Sequence, residues 1–346
     1  MVGFAGWEMP IQYPAGQLKE HEIVRTDAGV FDVSHMARFR VGGAGAIRFV
    51  NGLITNDLEK SVPGQLIYSP MCLETGGVVD DVTVYRFDSE VLVVANASNK
   101  QAVWDWLVRH KPSDATLTDR SDELAQLAVQ GPRAQERIAP LVDGDLESIG
   151  YYRHGRFTVL GKPNVLISRN GYTGEDGFEV YIPAPDASAF WAALLEQGVR
   201  PIGLGARDTL RFEMCYALYG QELDRETTPL DAGLAWTVKL KKAADFIGKP
   251  VLVREKEEGL RKVLVGFEVK GPRPARHGQT ILSGGQPVGI VTSGGPCPSL
   301  GNKGMGLGFV RPDLAGIGTP LAVDVRGTMV EATVVERPFY KNASHR

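Results

Sequence analysis

The sequence predicts an α+β protein that ends in a separate all-β domain. Apolar runs typical of strands and stretches of helical periodicity alternate in blocks through the first part of the chain, which is the α+β pattern. From about Arg261 the helical pattern stops, and only short apolar runs separated by glycine and proline remain. At 346 residues the chain also exceeds one compact core, and typical domain lengths give about two to three domains.

The first block of elements contains one short helix, a group of strands and a second helix. "GGAGAIRFVNGLITNDL" places Ile47, Val50, Leu53 and Ile54 at helical spacing after a glycine turn. Residues 65–98 hold apolar runs separated by "ETGG" and "DSE", which predicts three successive antiparallel strands joined by hairpins. The following "NKQAVWDWLVRH" predicts a helix.

The second block begins at about Asp119 and repeats this mixture. "LAQLAVQGP" predicts a strand, "RAQERIAPLV" a helix, and "RFTVLGKPNVLISRNGYTGEDGFEVYIP" strands around polar turns. Two further helices are predicted in "DASAFWAALLEQGV" and "GARDTLRFEMCYALYG", followed by a strand in "PLDAGLAWTVKL". The charged segment "REKEEGLRK" is interpreted as a solvated helix end at the boundary with the last domain.

The C-terminal domain is predicted to be a barrel or sandwich. Its apolar runs "KVLVGFEV", "TILSGGQPVGIVTSG", "GMGLGFV", "PLAVDV" and "MVEATVVE" are short strands between glycine and proline turns. The glycine-rich "GGPCPSLGNKGMGLG" lacks the ending of a phosphate-binding loop and precedes a strand, so we interpret it as barrel loops.

Composition and charge exclude several classes of function. A hydrophobic share of 43% with 23% charged residues is that of a soluble globular protein, and a net charge of -3 gives no overall basic field, which argues against a large contact surface for nucleic acid or anionic membranes. No apolar run of about 18 residues predicts a membrane span. Three separated cysteines indicate a reducing compartment, and six scattered histidines lack zinc-site spacing, so we expect no metal. Bacterial cytoplasm is the expected location, or the mitochondrial matrix for a eukaryotic chain.

Two neighbouring carboxylates in "GGVVDDVTVYR", residues 76–86, are the first candidates for chemistry. Successive side chains of a strand point to opposite faces, so Asp80 and Asp81 cannot enter the same pocket. Asp80 shares its face with three valines, Val78, Val82 and Val84, whereas Asp81 shares its face with the hydroxyl groups of Thr83 and Tyr85. Asp81 therefore suits a cleft, and a solvated hairpin for both carboxylates stays an equal alternative.

A third carboxylate and an arginine are further candidates. Glu179 lies inside a predicted strand after the turn of "GYTGEDGFEVYIP", where Glu175 and Asp176 are expected to be solvated. A cleft carboxylate at 179 needs donors, and two adjacent N–H groups of a heterocycle would satisfy it in bidentate fashion; an exposed glutamate is the equal alternative. Arg207 falls in the first turn of a predicted helix, which favours an anion site, although surface pairing with an aspartate is the commoner role of such an arginine.

Six stretches, taken in order, resemble one family over almost the whole chain. They are "FAGWEMPIQY", "RTDAGVFDVSHM", "GGVVDDVTVYR", "GYTGEDGFEVY", "GARDTLRFEMCYALYGQELD" and "PSLGNKGMGLGFV". Together they are similar to the aminomethyltransferases, the T-protein family of the glycine cleavage system. The resemblance implies three domains arranged as a cloverleaf around a central opening. The boundaries that we expect are 1–40 with 119–235 for a discontinuous α+β domain, 41–118 with part of 236–260 for a second α+β domain, and 261–346 for the C-terminal all-β domain.

The resemblance also implies an activity, a cofactor and a partner. Members of this family are tetrahydrofolate-dependent enzymes that take an aminomethyl group from the lipoyl arm of the H-protein. They transfer its one-carbon unit to tetrahydrofolate and release ammonia, leaving 5,10-methylenetetrahydrofolate and dihydrolipoyl H-protein. For this chain we therefore expect tetrahydrofolate and a lipoylated H-protein as partners, with no metal, nucleic acid or membrane.

Individual residues take roles by the same match. Asp81 is expected to be the catalytic carboxylate, and Glu179 to bind the amide and amino edge of the pterin. The remaining folate or substrate contacts implied by the resemblance are Tyr68, Tyr85, Asn96, Tyr172, Arg207 and, from the all-β domain, Tyr340.

Relatives of this fold suggest other functions that the sequence leaves open. One is a folate-dependent demethylase or the folate domain of a dimethylglycine or sarcosine oxidase. Another is a folate-binding accessory protein for iron–sulfur assembly, which carries a Lys-Gly-Cys-Tyr-x-Gly-Gln stretch where this chain has "DFIGKP". A binding module without catalysis would leave Asp81 with no purpose.

Overall fold

The computed structural model describes residues 1–271 and 273–345. Within them the chain forms a seven-stranded sheet, a five-stranded sheet, a closed barrel and a two-stranded hairpin at the N-terminus. The hairpin pairs β1 (Val2–Phe4) with β2 (Trp7–Met9). The α+β class and the C-terminal all-β domain predicted from the sequence are confirmed, and the closed strand order shows that the latter is a barrel and not a sandwich.

The seven-stranded sheet is antiparallel except at one edge, where β14 pairs with β3 in parallel. Its strands, numbered in chain order, are β3 (Gly29–Asp32), β9 (Leu124–Gln130), β10 (Val142–Asp143), β11 (His154–Val159), β12 (Lys162–Arg169), β13 (Gly177–Pro183) and β14 (Arg200–Pro201). The helices α4 (Ala134–Ile138) and α5 (Ala187–Glu196) bury Ile138 and Phe190 against one face. On the other face α1 (Gln17–Thr26) and α6 (Leu204–Glu213) bury Val24 and Leu210.

The five-stranded sheet contains the strands predicted between residues 65 and 98. Its strands are β4 (Ala37–Gly42), β5 (Gln65–Cys72), β6 (Val78–Arg86), β7 (Val91–Ala95) and β8 (Thr116–Asp119). The predicted helices are present as α2 (Ala46–Leu53) and α3 (Lys100–His110), and both pack on one face of this sheet. The first of these strands crosses position 40, so residues on both sides of that position belong to one sheet.

The two sheets pack against each other through a small apolar cluster that includes Leu66, Tyr85 and Val94 from one sheet and Leu166 and Tyr181 from the other. Because strand side chains alternate between faces, Asp81 lies on the same face of β6 as Tyr85, and Glu179 lies on the same face of β13 as Tyr181. This arrangement brings β6 and β13, which carry the predicted carboxylates, close together.

The barrel closes through six antiparallel strands around its own apolar core. These strands are β15 (Val263–Val269), β16 (Thr280–Ser283), β17 (Gln286–Cys297), β18 (Lys303–Val310), β19 (Pro320–Val325) and β20 (Thr328–Val335). Backbone crowding makes glycine necessary in β17, since a Cβ at Gly289 would lie 1.9 Å from the carbonyl oxygen of Phe309. Closure leaves none of these six described strands with a free sheet edge.

The segment between α6 and the barrel departs from the sequence prediction. The helix expected to continue through Gly220 ends at Glu213, because Cys215 has a left-handed backbone with φ of 55°. The strand predicted in "PLDAGLAWTVKL" is also wrong: this stretch forms turns and one short 3-10 helix, Ala235–Thr237. The charged stretch that follows it lies in α7 (Lys249–Glu258) and beyond, as predicted.

A buried cluster of charged side chains connects the barrel to helices α1 and α6. Arg25 on α1 pairs with Glu213 on α6 at 2.9 Å and with Glu175 at 2.9 Å. Glu213 also accepts a hydrogen bond from the backbone N–H of Ser299 in the barrel at 2.8 Å. Glu175 is therefore buried, with 4% of its surface exposed, and the expectation that it is solvated is wrong because a distant arginine supplies its counter-charge.

Within the described residues, none of the helices combines the length and the apolar character required to cross a membrane.

Candidate functional site

A large cavity lies where the two sheets, α6 and the barrel meet. Its volume is about 1840 Å³. Asp81 and Glu179 reach it from the five-stranded and the seven-stranded sheet, Arg207 from α6, and Val265 and Val334 from the barrel. The cavity therefore collects side chains that are far apart in the sequence, including the carboxylates and the arginine that the pattern suggested.

Asp81 lies on the face of β6 that turns toward this cavity and is half-buried in its wall. Its Oδ2 accepts a hydrogen bond from the Tyr68 hydroxyl at 2.8 Å, and its Oδ1 accepts one from Asn96 Nδ2 at 2.8 Å. The alternation of the strand turns Asp80 the other way, into the core, where it is fully buried. Of the two alternatives that the sequence left open for Asp81, a cleft or a solvated hairpin, the structure thus selects the cleft.

Burial makes the Asp81 carboxylate harder to ionise than an exposed one. Loss of hydration raises its pKa above the usual range, and the charge of Glu222 adds to the rise. The hydrogen bonds from Tyr68 and Asn96 oppose this effect because they stabilise the anion. A carboxylate balanced in this way can stabilise a cation in the cavity and can also exchange a proton with it.

Glu179 presents one oxygen to the protein and one to the cavity. Its Oε2 accepts hydrogen bonds from Gln126 Nε2 at 3.0 Å, from the Tyr181 hydroxyl at 3.0 Å and from the Tyr85 hydroxyl at 3.3 Å. Arg38 donates to the amide oxygen of Gln126 at 3.4 Å, which fixes the amide with its NH₂ toward Glu179. Among the described residues none donates to Oε1, so this oxygen is available to a ligand.

Arg207 provides positive charge on the cavity wall. Its guanidinium lies over the ring of Tyr172, 4.9 Å from the centroid, and the Tyr172 hydroxyl donates to the carbonyl oxygen of Ala217. No described carboxylate forms an ion pair with Arg207; the surface pairing considered from the sequence belongs to Arg211, which pairs with Asp208 at 2.8 Å. Arg207 is therefore held by a ring contact that leaves its N–H groups open to an anionic or carbonyl ligand.

Two of the predicted contacts do not line the cavity. Tyr85 is fully buried behind Glu179, where its hydroxyl supports that carboxylate. Tyr340 stacks on Arg25, with the guanidinium 4.1 Å from the ring centroid, and belongs to the charged cluster that fastens the barrel. Tyr68, Asn96 and Tyr172 do line the cavity. The structure thus brings together six of the eight predicted side chains.

An exposed tryptophan at the cavity was missed from the sequence. Trp236 stacks on Tyr68 with the ring centroids 5.9 Å apart, and 58% of its surface is exposed. It lies in the stretch wrongly predicted as a strand, so no periodicity pointed to it. Tyr68, the other ring of this stack, donates a hydrogen bond from its hydroxyl to Asp81.

Two further residues that no sequence pattern indicated, His35 and Arg337, line the cavity. The Nδ1 of His35 has no hydrogen-bond partner in the described part of the chain, and burial with the nearby charge of Arg207 lowers its pKa to about 4. The imidazole is therefore neutral at pH 7. Arg337 adds another guanidinium, from the side of the barrel.

Replacing His35 by Gln should reduce the loss of stability on acidification. In the unfolded chain the imidazole takes up a proton below its ordinary pKa of 6.5, whereas the folded protein resists protonation until about pH 4. Unfolding is therefore favoured as the pH falls through this window, and the effect of one such group between pH 7 and 5 is about 1.8 kcal/mol. Denaturant unfolding of both proteins at the two pH values measures it. Equal losses in the two proteins would contradict a neutral buried His35.

The part of the chain that the structure describes holds no group of three or more His, Cys, Asp or Glu side chains placed to bind a metal ion.

Two family models match the chain, one before the barrel and one over the barrel. Residues 1–242 match the GCVT N-terminal domain, and residues 262–341 match the glycine cleavage T-protein C-terminal barrel domain. The second match covers the closed barrel from β15 to just beyond β20.

Individual relatives match over nearly the whole length. The chain is 46% identical to an aminomethyltransferase from Listeria monocytogenes serotype 4b, over 99% of this chain and 94% of the relative. It is 46% identical to an aminomethyltransferase from Geobacillus kaustophilus, over 99% of this chain and 95% of the relative. Among solved structures, the glycine cleavage system aminomethyltransferase T from Bartonella henselae matches with a TM-score of 0.93 and 32% identity, over 100% of this chain and 95% of that one.

Proposed function

Because the chain belongs to the aminomethyltransferase family, the T-proteins of the glycine cleavage system, we propose that it transfers a one-carbon unit from an aminomethylated lipoyl arm to tetrahydrofolate. The arm is carried by the H-protein. The products are ammonia, 5,10-methylenetetrahydrofolate and dihydrolipoyl H-protein. We place this reaction in the bacterial cytoplasm, without a metal.

The observation that carries the proposal is the open Oε1 of Glu179 in a cavity shared with Asp81. A reduced pterin has an amide N–H beside an amino group, and this pair of donors suits a carboxylate whose other oxygen already has protein partners. Arg207, on the same cavity wall, can donate to the carbonyl oxygen of that amide. Tyr68, Asn96 and Tyr172 complete the walls around it.

The volume of the cavity supports a reaction between two substrates. Sites for a single small molecule typically enclose about 300–1,000 Å³. The present cavity, at about 1840 Å³, has room for a folate and for the end of a lipoyl arm. Arg337 on the barrel side offers a cation for the carboxylates of the folate tail.

The reaction requires two new bonds from the methylene carbon to nitrogens of tetrahydrofolate. The bonds from this carbon to the amine nitrogen and to the lipoyl sulfur break, and the two N–H protons of the folate end on ammonia and on the thiol. Positive charge develops on the methylene carbon during these exchanges. The Asp81 carboxylate, oriented by Tyr68 and Asn96, stabilises that charge and accepts a proton from the attacking nitrogen.

Partner docking is proposed to involve basic surface residues that face an acidic lipoyl protein and to weaken with salt. Three basic residues of the C-terminal domain are candidates, Lys262, Arg273 and Arg276, and each has a hydrogen-bond partner within the chain. Lys262 also lies over the ring of Phe309, 4.5 Å from its centroid, so Arg273 and Arg276 are the better candidates.

Ammonia release from aminomethyl-loaded H-protein tests the proposed function directly. With the protein and tetrahydrofolate present, we expect rapid ammonia release together with an equal amount of methylenetetrahydrofolate. Omission of tetrahydrofolate should slow the release by at least about 100-fold, because the attacking nitrogen is then absent. Unloaded H-protein is the control. A protein that binds folate but leaves the ammonia rate unchanged would instead be a binding module, and one that acts on dimethylglycine or sarcosine would be a demethylase.

A further inference from the structure

Asp80, the neighbour of the proposed catalytic carboxylate, is buried in an unusual way. None of its surface is exposed, and among the described residues no lysine, arginine or histidine forms an ion pair with it. A buried carboxylate is costly, and the other inward-facing positions of β6 carry valine, as at Val78, Val82 and Val84. A fourth valine would fill the position without this cost. The carboxylate at 80 therefore needs a reason other than packing.

Its hydrogen bonds converge on Asn96, at the end of the neighbouring strand β7. Asp80 Oδ2 accepts from the backbone N–H of Asn96 at 2.9 Å, and Oδ1 accepts from the side-chain Nδ2 of the same residue at 2.8 Å. Asn99 Nδ2 donates to Oδ1 as well, at 2.7 Å. One carboxylate thus holds both the backbone and the side chain of Asn96.

The amide of Asn96 connects the two faces of β6. Its Nδ2 donates to Asp80 Oδ1 at 2.8 Å and also to Asp81 Oδ1 at 2.8 Å. An amide NH₂ has two protons, so it can serve one carboxylate with each, provided that the amide oxygen points away from both. Asp80 enforces this orientation, since the opposite rotamer would set two oxygens against each other.

We propose that Asp80 is a positioning residue that holds the Asn96 amide, and through it the carboxylate of Asp81, in the orientation required for reaction. The inference rests on the function proposed above, because it assigns Asp80 to the reaction of Asp81. Asp80 itself touches no substrate. It lies behind the strand, on the side away from the cavity.

Titratable and charged groups surround the pair on several elements. Tyr68 on β5 contacts Asp81 directly, and Glu222 and Tyr219 approach from the segment after α6. Tyr172 faces Asp81 from the turn before β13. None of these groups donates a hydrogen bond to Asp80, so none of them competes with Asn96 for its oxygens.

Kinetics of Asp80→Asn test the proposal. The new NH₂ group would face an N–H donor of Asn96 or Asn99, so a hydrogen bond that holds the Asn96 amide in place would be lost. We expect kcat for ammonia release to fall about 30-fold, while the KM and the dissociation constant for tetrahydrofolate stay within about threefold. Val82→Ala is the matched control, since it removes buried volume from the same face of the same strand, and it should keep kcat within about twofold.

A double substitution separates positioning from a general structural role. If Asp80 acts only through Asp81, then Asp80→Asn should cause no further loss of kcat in an Asp81→Asn background. Additive losses, or an equal loss in Val82→Ala, would overturn the proposal. If Asp80→Asn fails to fold, Asn99→Ala is the alternative variant, because it removes one donor from Asp80 and does not contact Asp81. It should lower kcat about fivefold and leave the affinity for tetrahydrofolate unchanged. An unchanged kcat would contradict the proposed positioning role of Asp80.

The same measurements keep this proposal separate from the function itself. If Asp81→Asn alone leaves turnover intact, the proposed function of the site fails. If Asp81→Asn abolishes turnover and Asp80→Asn does not change it, the function stands and only the role of Asp80 is wrong.

Discussion

Asp81→Asn is expected to lower kcat for ammonia release by about 10³-fold or more, since electrostatic stabilisation and proton transfer are each worth about 10²-fold or more. The substitution keeps the shape of the side chain but removes its charge and its capacity to take a proton. It also sets an NH₂ group against one of the two donors, Tyr68 or Asn96, that orient the carboxylate. Turnover with saturating tetrahydrofolate and loaded H-protein gives kcat.

Folate affinity should change much less in this variant. The pterin edge is expected to bind at Glu179, on the other sheet, so the dissociation constant for tetrahydrofolate should stay within about threefold by calorimetric titration. Thr83→Val is the matched control, because Thr83 shares the cavity-facing side of β6 with Asp81 and carries no charge. Its kcat should remain close to that of the unmodified protein. Full turnover by Asp81→Asn would leave a folate-binding module as the better description.

Glu179→Ala is expected to weaken tetrahydrofolate binding by about 2–4 kcal/mol, which corresponds to roughly 30- to 1,000-fold in the dissociation constant. The substitution removes the only acceptor proposed for the amide and amino groups of the pterin. It also leaves the donors of Gln126 and Tyr181 without their shared partner inside the wall. Calorimetric titration with tetrahydrofolate measures the change.

A second variant at this position separates charge from shape. Glu179→Gln keeps the length of the side chain and one oxygen, so its loss of affinity should be smaller, about tenfold. At saturating tetrahydrofolate both variants should retain more of their kcat than Asp81→Asn does. Unchanged affinity in Glu179→Ala would show that the pterin binds elsewhere in the cavity.

Local pattern predicted much of the fold and part of the site. The alternation of residues in β6 separated Asp80 from Asp81 and indicated Asp81 for a cleft, because the valines on one face required a core. The hairpins between residues 65 and 98 and the helices on either side of them also follow from composition and spacing over a few residues. Such signals depend only on neighbours in the chain.

Features that depend on distant partners were out of reach of local pattern. The local sequence predicts that Glu175 is a solvated turn residue, because its counter-charge, Arg25, lies 150 positions earlier in the chain. The helix after Leu204 ends where a left-handed residue turns the backbone, although its apolar spacing continues. Tyr85 and Tyr340 are tyrosines, a residue type common in ligand contacts, but neither lines the cavity. Tyr85 is buried where one sheet packs on the other, and the ring of Tyr340 stacks on Arg25.

The stacked pair of Trp236 and Tyr68 gives the protein an intrinsic optical reporter. The indole lies partly in solvent at the cavity and touches the ring whose hydroxyl contacts Asp81. A molecule that fills the cavity therefore alters the surroundings of this indole, and its emission changes with occupancy. Comparison with a Trp236→Phe protein isolates that signal from the other tryptophans, so filling of the cavity can be followed in real time without an attached dye.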